Sequence, residues 1–291
     1  MTITIRVSVR AAVTGTLVLL AASFMPVPVL AVDGVIEINQ ASVDAGSVTP
    51  GDTPGFPATI SVSGSYRLTG ALAVPDENTT AIEFTASNVT LDLNGFEIGG
   101  PNVCAGEVVT SCTFTNAANG LTANGQNNIE IRNGSIRGMG GNGIVLANGA
   151  GSRLINLRLV ENGSRGLQLS TKELVSGCHI LRNRFDGIFV GTFGTITNNV
   201  ITGNGGLGID TGAAANISEN TIVLNGDDGI NTGALGRIVA NQIVGNNGWG
   251  INALDASTGY SLNVIQDNSD GTVNNGIEFG SNICEGDVTC P

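Results

Sequence analysis

Imidazole and ammonium groups are almost missing from this chain, which has one histidine, His179, and one lysine, Lys172. With Met139 the only methionine after residue 25, a copper-handling role lacks the soft or imidazole ligands it needs. A zinc site is disfavoured for the same reason. Aromatics are 4% of residues, with Trp249 the single tryptophan. Basic residues number 12 against 24 acidic ones, a net charge of −12. Nucleic acid is therefore excluded as a partner, because binding it requires cations that displace counterions. An anionic membrane surface is disfavoured in the same way. After residue 31 no run is long and apolar enough to span a bilayer, and no segment has a helical period.

The start of the chain reads as an export signal. Arg6 and Arg10 precede the apolar run "AAVTGTLVLLAASF", and Val29 and Ala31 suit cleavage before Val32. Pro26 and Pro28 break the run before it could anchor in a membrane, so no membrane insertion is expected after cleavage. Removing the segment takes two basic and no acidic residues, moving the charge from −12 to −14. The five cysteines fit an oxidising compartment. Cys104 with Cys112, and Cys284 with Cys290, are expected to close two short disulfide loops; Cys178 is left over. No metal site and no cofactor is expected, and nothing in the sequence sets an oligomeric state.

The dominant pattern is a repeat. Glycine followed by an aliphatic residue recurs at Gly120, Gly143, Gly166, Gly187, Gly208, Gly229, Gly250 and Gly276, at spacings of 23, 23, 21, 21, 21, 21 and 26. A second column runs through Asn94, Asn133, Asn156, Cys178, Asn199, Asn220, Asn241 and Asn263. A third runs through Asn162, Asn183, Asn204, Asn225, Asn246 and Asn268. Short aliphatic runs alternate with Gly and Asn, as in "ISENTIVLNGDDGI". That suits strands of a few residues, joined by turns at residues that tolerate φ > 0. A period near 21 made of such units is one coil of a parallel β-helix, with Asn ladders running along the stack. The expected fold is all-β, a single-stranded right-handed parallel β-helix of about nine coils. Residues 32–80 are read as an N-terminal cap with first strands, 81–280 as repeats, and 281–291 as a disulfide-closed tail. Cys178, on a ladder rung, is expected to be a buried free thiol.

Rival motifs are by-products of this repeat. "LINLRLVEN" matches one leucine-rich unit, but other coils place Asn or Cys where that unit buries its central Leu. "NGGLGIDTG" mimics both a calcium nonapeptide and a dinucleotide loop, yet it lacks the nine-residue period of the first and the helix of the second.

The stretch "NVTLDLNGFEI", followed by coils of the type "GWGI", resembles the exported bacterial right-handed β-helix proteins of the pectin-lyase-like class, over about residues 60–280. The resemblance implies the fold and an export route. It does not choose among lyases, hydrolases, epimerases and adhesins, all of which use that fold.

Candidate function rests on side chains facing outward beside the glycine column: Val145, Gln168, Phe189, Asp210, Asn231, Asn252 and Glu278. The residues just before each glycine form a neighbouring column: Asn142, Arg165, Asp186, Leu207, Asp228, Trp249 and Asn275. Asp210, Asp228, Asn231, Trp249 and Asn252 thus fall on one surface, with the carboxylates, amides and aromatic ring that suit a polysaccharide. The expected role is an exported scaffold that binds such a chain without catalysis. The alternative is a polysaccharide lyase or glycoside hydrolase. Asp227 and Asp228 in "GDDGI" resemble the paired aspartates of polygalacturonases, but the accompanying Gly-His-Gly and Arg-Ile-Lys segments are missing. A lyase would draw on Lys172, His179, Arg182 and Arg184, within a segment (132–184) that carries eight basic residues against Glu161 and Glu173.

Overall fold

The computed structural model describes residues 34–286 and 290. The expected export signal lies outside the described residues. The chain winds into a right-handed stack of parallel strands, three to a coil, burying one aliphatic column per face. A 10-stranded sheet forms one face, and a 19-stranded sheet supplies the other two. The coil at Ile209 shows the unit: Ile209–Thr211 on the first face, Asn216–Ser218 on the second, Thr221–Val223 on the third. In each three-residue strand the alternation of side chains decides burial. Ile209, Ile217 and Ile222 are fully buried, and their counterparts one coil later, Ile230, Ile238 and Ile243, are too.

Ten strands line the first face. The earliest, Ala58–Ile60, pairs with Ile82–Phe84, so a coil precedes the repeat columns visible in the sequence. Before it, Val35–Ile38 pairs with Ser65–Leu68, and a short helix, Gln40–Asp44, follows. Asn39 caps that helix: its Oδ1 accepts from the Ser42 N–H while the Ser42 hydroxyl accepts from the Asn39 N–H, at 3.1 and 2.9 Å.

The corners explain the asparagines. Between second and third faces a single residue takes the left-handed conformation and the next turns inward, as with Glu219 (φ 59°) before buried Asn220. A left-handed non-glycine costs on the order of 1 kcal/mol, and the inward amide offsets it. In one ladder Asn162, Asn183, Asn204, Asn225 and Asn246 each pass an amide N–H to the Oδ1 of the next, ending at Asn268, at 2.9–3.0 Å. The other ladder contains Asn199, Asn220, Asn241, Asn263 and Asn282. Here the sequence columns need correction. Asn94, Asn133 and Asn156 are the left-handed residues of their corners (φ 52°, 59° and 53°), one place before the ladder position. Asn156 lies against Gly177, the residue before Cys178.

Cys178 is buried and unpaired. Its thiol stands near Leu154 O, one coil earlier, and Ser176 O, two residues before it, the positions whose carbonyls ladder amides such as Asn241 reach elsewhere, and its own N–H donates to Asn199 Oδ1. Burial pushes the thiol up to about 12. Both expected disulfides are formed, Cys104–Cys112 and Cys284–Cys290. The first closes a hairpin, Cys104–Ala105 against Ser111–Cys112. Arg182 holds this insertion against the stack by donating to the carbonyls of Cys104 and Gly106, at 2.8 and 2.6 Å. Gly203 and Gly205 leave no room for a Cβ, because Glu107 O and Val109 O lie 2.5 Å from where it would sit.

Candidate functional site

The first sheet carries the candidate face. Its outward positions stack in register as Val145, Gln168, Phe189, Asp210, Asn231, Asn252 and Asn274. Glu278, read from the sequence as the last member, instead pairs with Tyr260 on the second face. Asn275 likewise leaves its column, where Gly271 stands opposite Trp249. The final coil departs from the glycine spacing, with Val273 opposite Ile251, so the alignment through Gly276 slips.

The five residues singled out are brought onto this one face, but they do different work. Asp228 is buried. One carboxylate oxygen accepts from the Trp249 N–H at 2.7 Å, and the other from the Asn252 amide at 2.8 Å. The Asn252 oxygen in turn accepts from Asn274. These three form a structural brace, since a backbone N–H at a tight corner needs an acceptor. The same backbone contact recurs two and four coils away: Asp186 accepts from the Leu207 N–H, and Asn142 from the Arg165 N–H. Trp249 is half-buried, with its ring over Gly271.

Asp210 and Asn231 differ. Among the described residues the Asp210 carboxylate has no hydrogen-bond partner, and the Asn231 Oδ1 is buried with none. Burial holds the Asp210 carboxyl above its ordinary range, with Asp186 adding to the rise and Arg165 opposing it. Asp227, exposed beside this pair, is raised by burial first and by Asp228 second.

Three neighbours that sequence reasoning placed in the columns but did not select complete the surface. Arg165 donates to Asp186 at 2.6 Å and to Gln168 at 3.5 Å, with its guanidinium 5.1 Å from the Phe189 ring centre. Phe189 and Gln168 line a shallow cleft of about 180 Å³ with Leu146, Ala147, Asn148, Leu169 and Ser170. The signal was present in the spacing, because Arg165 and Asp186 are 21 residues apart in one column.

The basic segment does not converge. Lys172 is exposed at a corner between first and second faces, and His179 is exposed on the third. Arg182 is committed to Glu161 and the insertion. Arg184 lies over Phe185. Arg132, Arg137 and Arg153 pair with Asp92, Glu130 and Glu161. The lyase quartet is therefore divided between the first-to-second corner, where Lys172 stands, and the third face with the corner after it. Among the described residues no group of three His, Cys, Asp or Glu is placed to hold a metal ion, and no helix is long and apolar enough to cross a membrane. The two disulfides fit an extracellular protein.

The model of the right-handed β-helix region matches residues 72–222. The chain belongs to this β-helix family. Among solved structures, this β-helix protein is similar to the Dettilon tailspike protein gp208, at 11% identity and a TM-score of 0.42 over 74% of this chain. It spans 58% of the tailspike chain's length. It is also similar to the A-module of the Azotobacter vinelandii mannuronan C-5 epimerase AlgE6, at 16% identity and a TM-score of 0.38, covering 82% of this chain and 93% of that one. The D317A mutant of the periplasmic alginate epimerase AlgG matches at 13% identity and 0.39, covering 85% and 82%. The sequence matches none of the curated proteins.

Proposed function

We propose that this protein is an exported β-helix scaffold, periplasmic, cell-surface or secreted, that binds a polysaccharide along its first sheet. One observation carries the reading: the half-buried Asp210 carboxylate stands on the outward column of that sheet, on the rung next to Asn231, with oxygen atoms that no protein donor satisfies. Half-buried polar atoms need partners, and sugar hydroxyls supply them. Phe189 on one side and Trp249 on the other offer apolar ring faces to the sugar. Binding without turnover is favoured by how the charged groups are used. Asp228 is spent on the Trp249 and Asn252 brace, and Arg182 on the insertion.

A glycan array followed by calorimetry on the mature protein tests this. Binding to at least one polysaccharide is expected, falling roughly tenfold or more in Trp249→Ala or Asn231→Ala. New reducing ends or unsaturated products would replace the scaffold with a hydrolase or lyase. An array without any bound glycan would remove the proposal.

A further inference from the structure

Building on that glycan-binding reading, we infer that the face takes an uncharged glycan and rejects polyuronates, with Asp210 setting the preference. A chain of uronic acids brings one carboxylate per sugar, and recognising it calls for cations at regular intervals along the groove. In the two outward columns of the first sheet, from Asn142 to Gly271 and from Val145 to Asn274, Arg165 is the only cation. Its charge is already matched by Asp186 at 2.6 Å, and its plane is laid against Phe189. One rung beyond Phe189 stands Asp210, whose carboxylate has neither hydrogen-bond donor nor ion-pair partner. Further along the stack come Asp227, Asp228 and Asp270, while the one basic residue beyond Asp210 in the sequence, Arg237, stands on the second face and donates to Asn216. A uronate laid on this strip would meet like charge on consecutive rungs roughly 4.8 Å apart. Bridging by a divalent cation has no prepared site, since the described residues offer no group of three acidic or imidazole ligands.

The remaining cations do not correct this. Arg158, Lys172 and Arg184, the members of the basic segment without a carboxylate partner, lie on the third face and at two different corners. What the strip does offer is acceptors and amides: the two Asp210 oxygens and the Asn231 amide nitrogen between two ring faces, and the Gln168 side chain one rung beyond Phe189. Neutral sugars, rich in hydroxyl donors and with apolar C–H faces, fit that list.

The test compares neutral oligosaccharides with oligogalacturonates and oligomannuronates of equal length by calorimetry, with calcium and with chelator. The neutral series is expected to bind about tenfold or more tightly. Asp210→Asn should narrow that ratio several-fold by improving uronate binding. Phe189→Ala should weaken every ligand and leave the ratio in place. Far-UV circular dichroism confirms that each variant is folded. Equal or tighter uronate binding, or a ratio unmoved by Asp210→Asn, overturns the charge rule while leaving glycan binding intact. No binding in either series overturns both this inference and the reading beneath it.

Discussion

Glu173 is a carboxyl sealed inside the stack without a cation. It is 1% exposed, one oxygen accepts from the Ser152 N–H, and the other has no partner. Burial raises its pKa, with the Ser152 bonds pulling the other way. A carboxyl whose folded value exceeds its unfolded value of about 4.3 holds its proton more tightly in the folded state. The penalty is absent in acid, appears as pH rises through the ordinary carboxylate range, and is complete above the raised value. Glu173→Gln is therefore expected to stabilise the protein at neutral pH, with the gain vanishing below the ordinary range. Urea midpoints across a pH series measure this, and a variant weaker at every pH would contradict it. Neither Glu173 nor the unpartnered Asp210 could be ranked from sequence, because burial of a single polar atom depends on neighbours 21 residues away. Cys178 could, because its column told which way it points.

At the scale of the element, the ladders carry the sharpest contrast. Asn225 accepts from the backbone and amide of Asn204 and donates to Asn246 and to Ile201 O. Removing it leaves several buried groups unpaired, each costing about 1–3 kcal/mol. Asn225→Ala should cost roughly 3–5 kcal/mol in chemical denaturation. Asn156→Gly, at an exposed left-handed corner, should change stability by less than about 1 kcal/mol. Equal losses would mean the ladder is not what distinguishes them. The sequence displayed the ladder through Asn162 to Asn268 directly, since six identical residues kept a spacing of 21 or 22. It blurred the other, because an Asn chosen for left-handed φ and an Asn chosen for its inward amide look alike one position apart. Asn282 escaped notice because the last coil is shorter, 19 residues from Asn263.

At the scale of the whole molecule, stability is spread along a line of near-identical units stacked on their neighbours, with the 104–112 insertion the exception that reaches across several coils. Deleting residues 226–246 removes one coil and returns every strand to register, since Asn225 and Asn246 stand at equivalent places 21 residues apart. That variant should fold, with β circular dichroism preserved and a lower midpoint. Deleting one residue fewer should abolish folding, because a one-place slip turns the aliphatic column outward. If both deletions fold alike, register is not what the core enforces. The period, the inward columns and the outward face were all legible at this scale. The brace through Asp228 and the dispersal of the basic segment were not, because they depend on which corner each residue occupies.

The ladders also give the molecule an electrical direction. In every rung one amide N–H points toward the C-terminal coils and meets the Oδ1 of the next rung, which faces the N-terminal ones, so these side-chain contacts all run in one direction. The oxygen pole is met by the N–H groups of Met139 and Cys178. At the hydrogen pole, Asn282 donates to the Glu278 carboxylate at 2.8 Å, an anion closing the positive end of a column. The acidic character of the last coil thus acts as a terminator, matched in sign to the polarity the asparagines build.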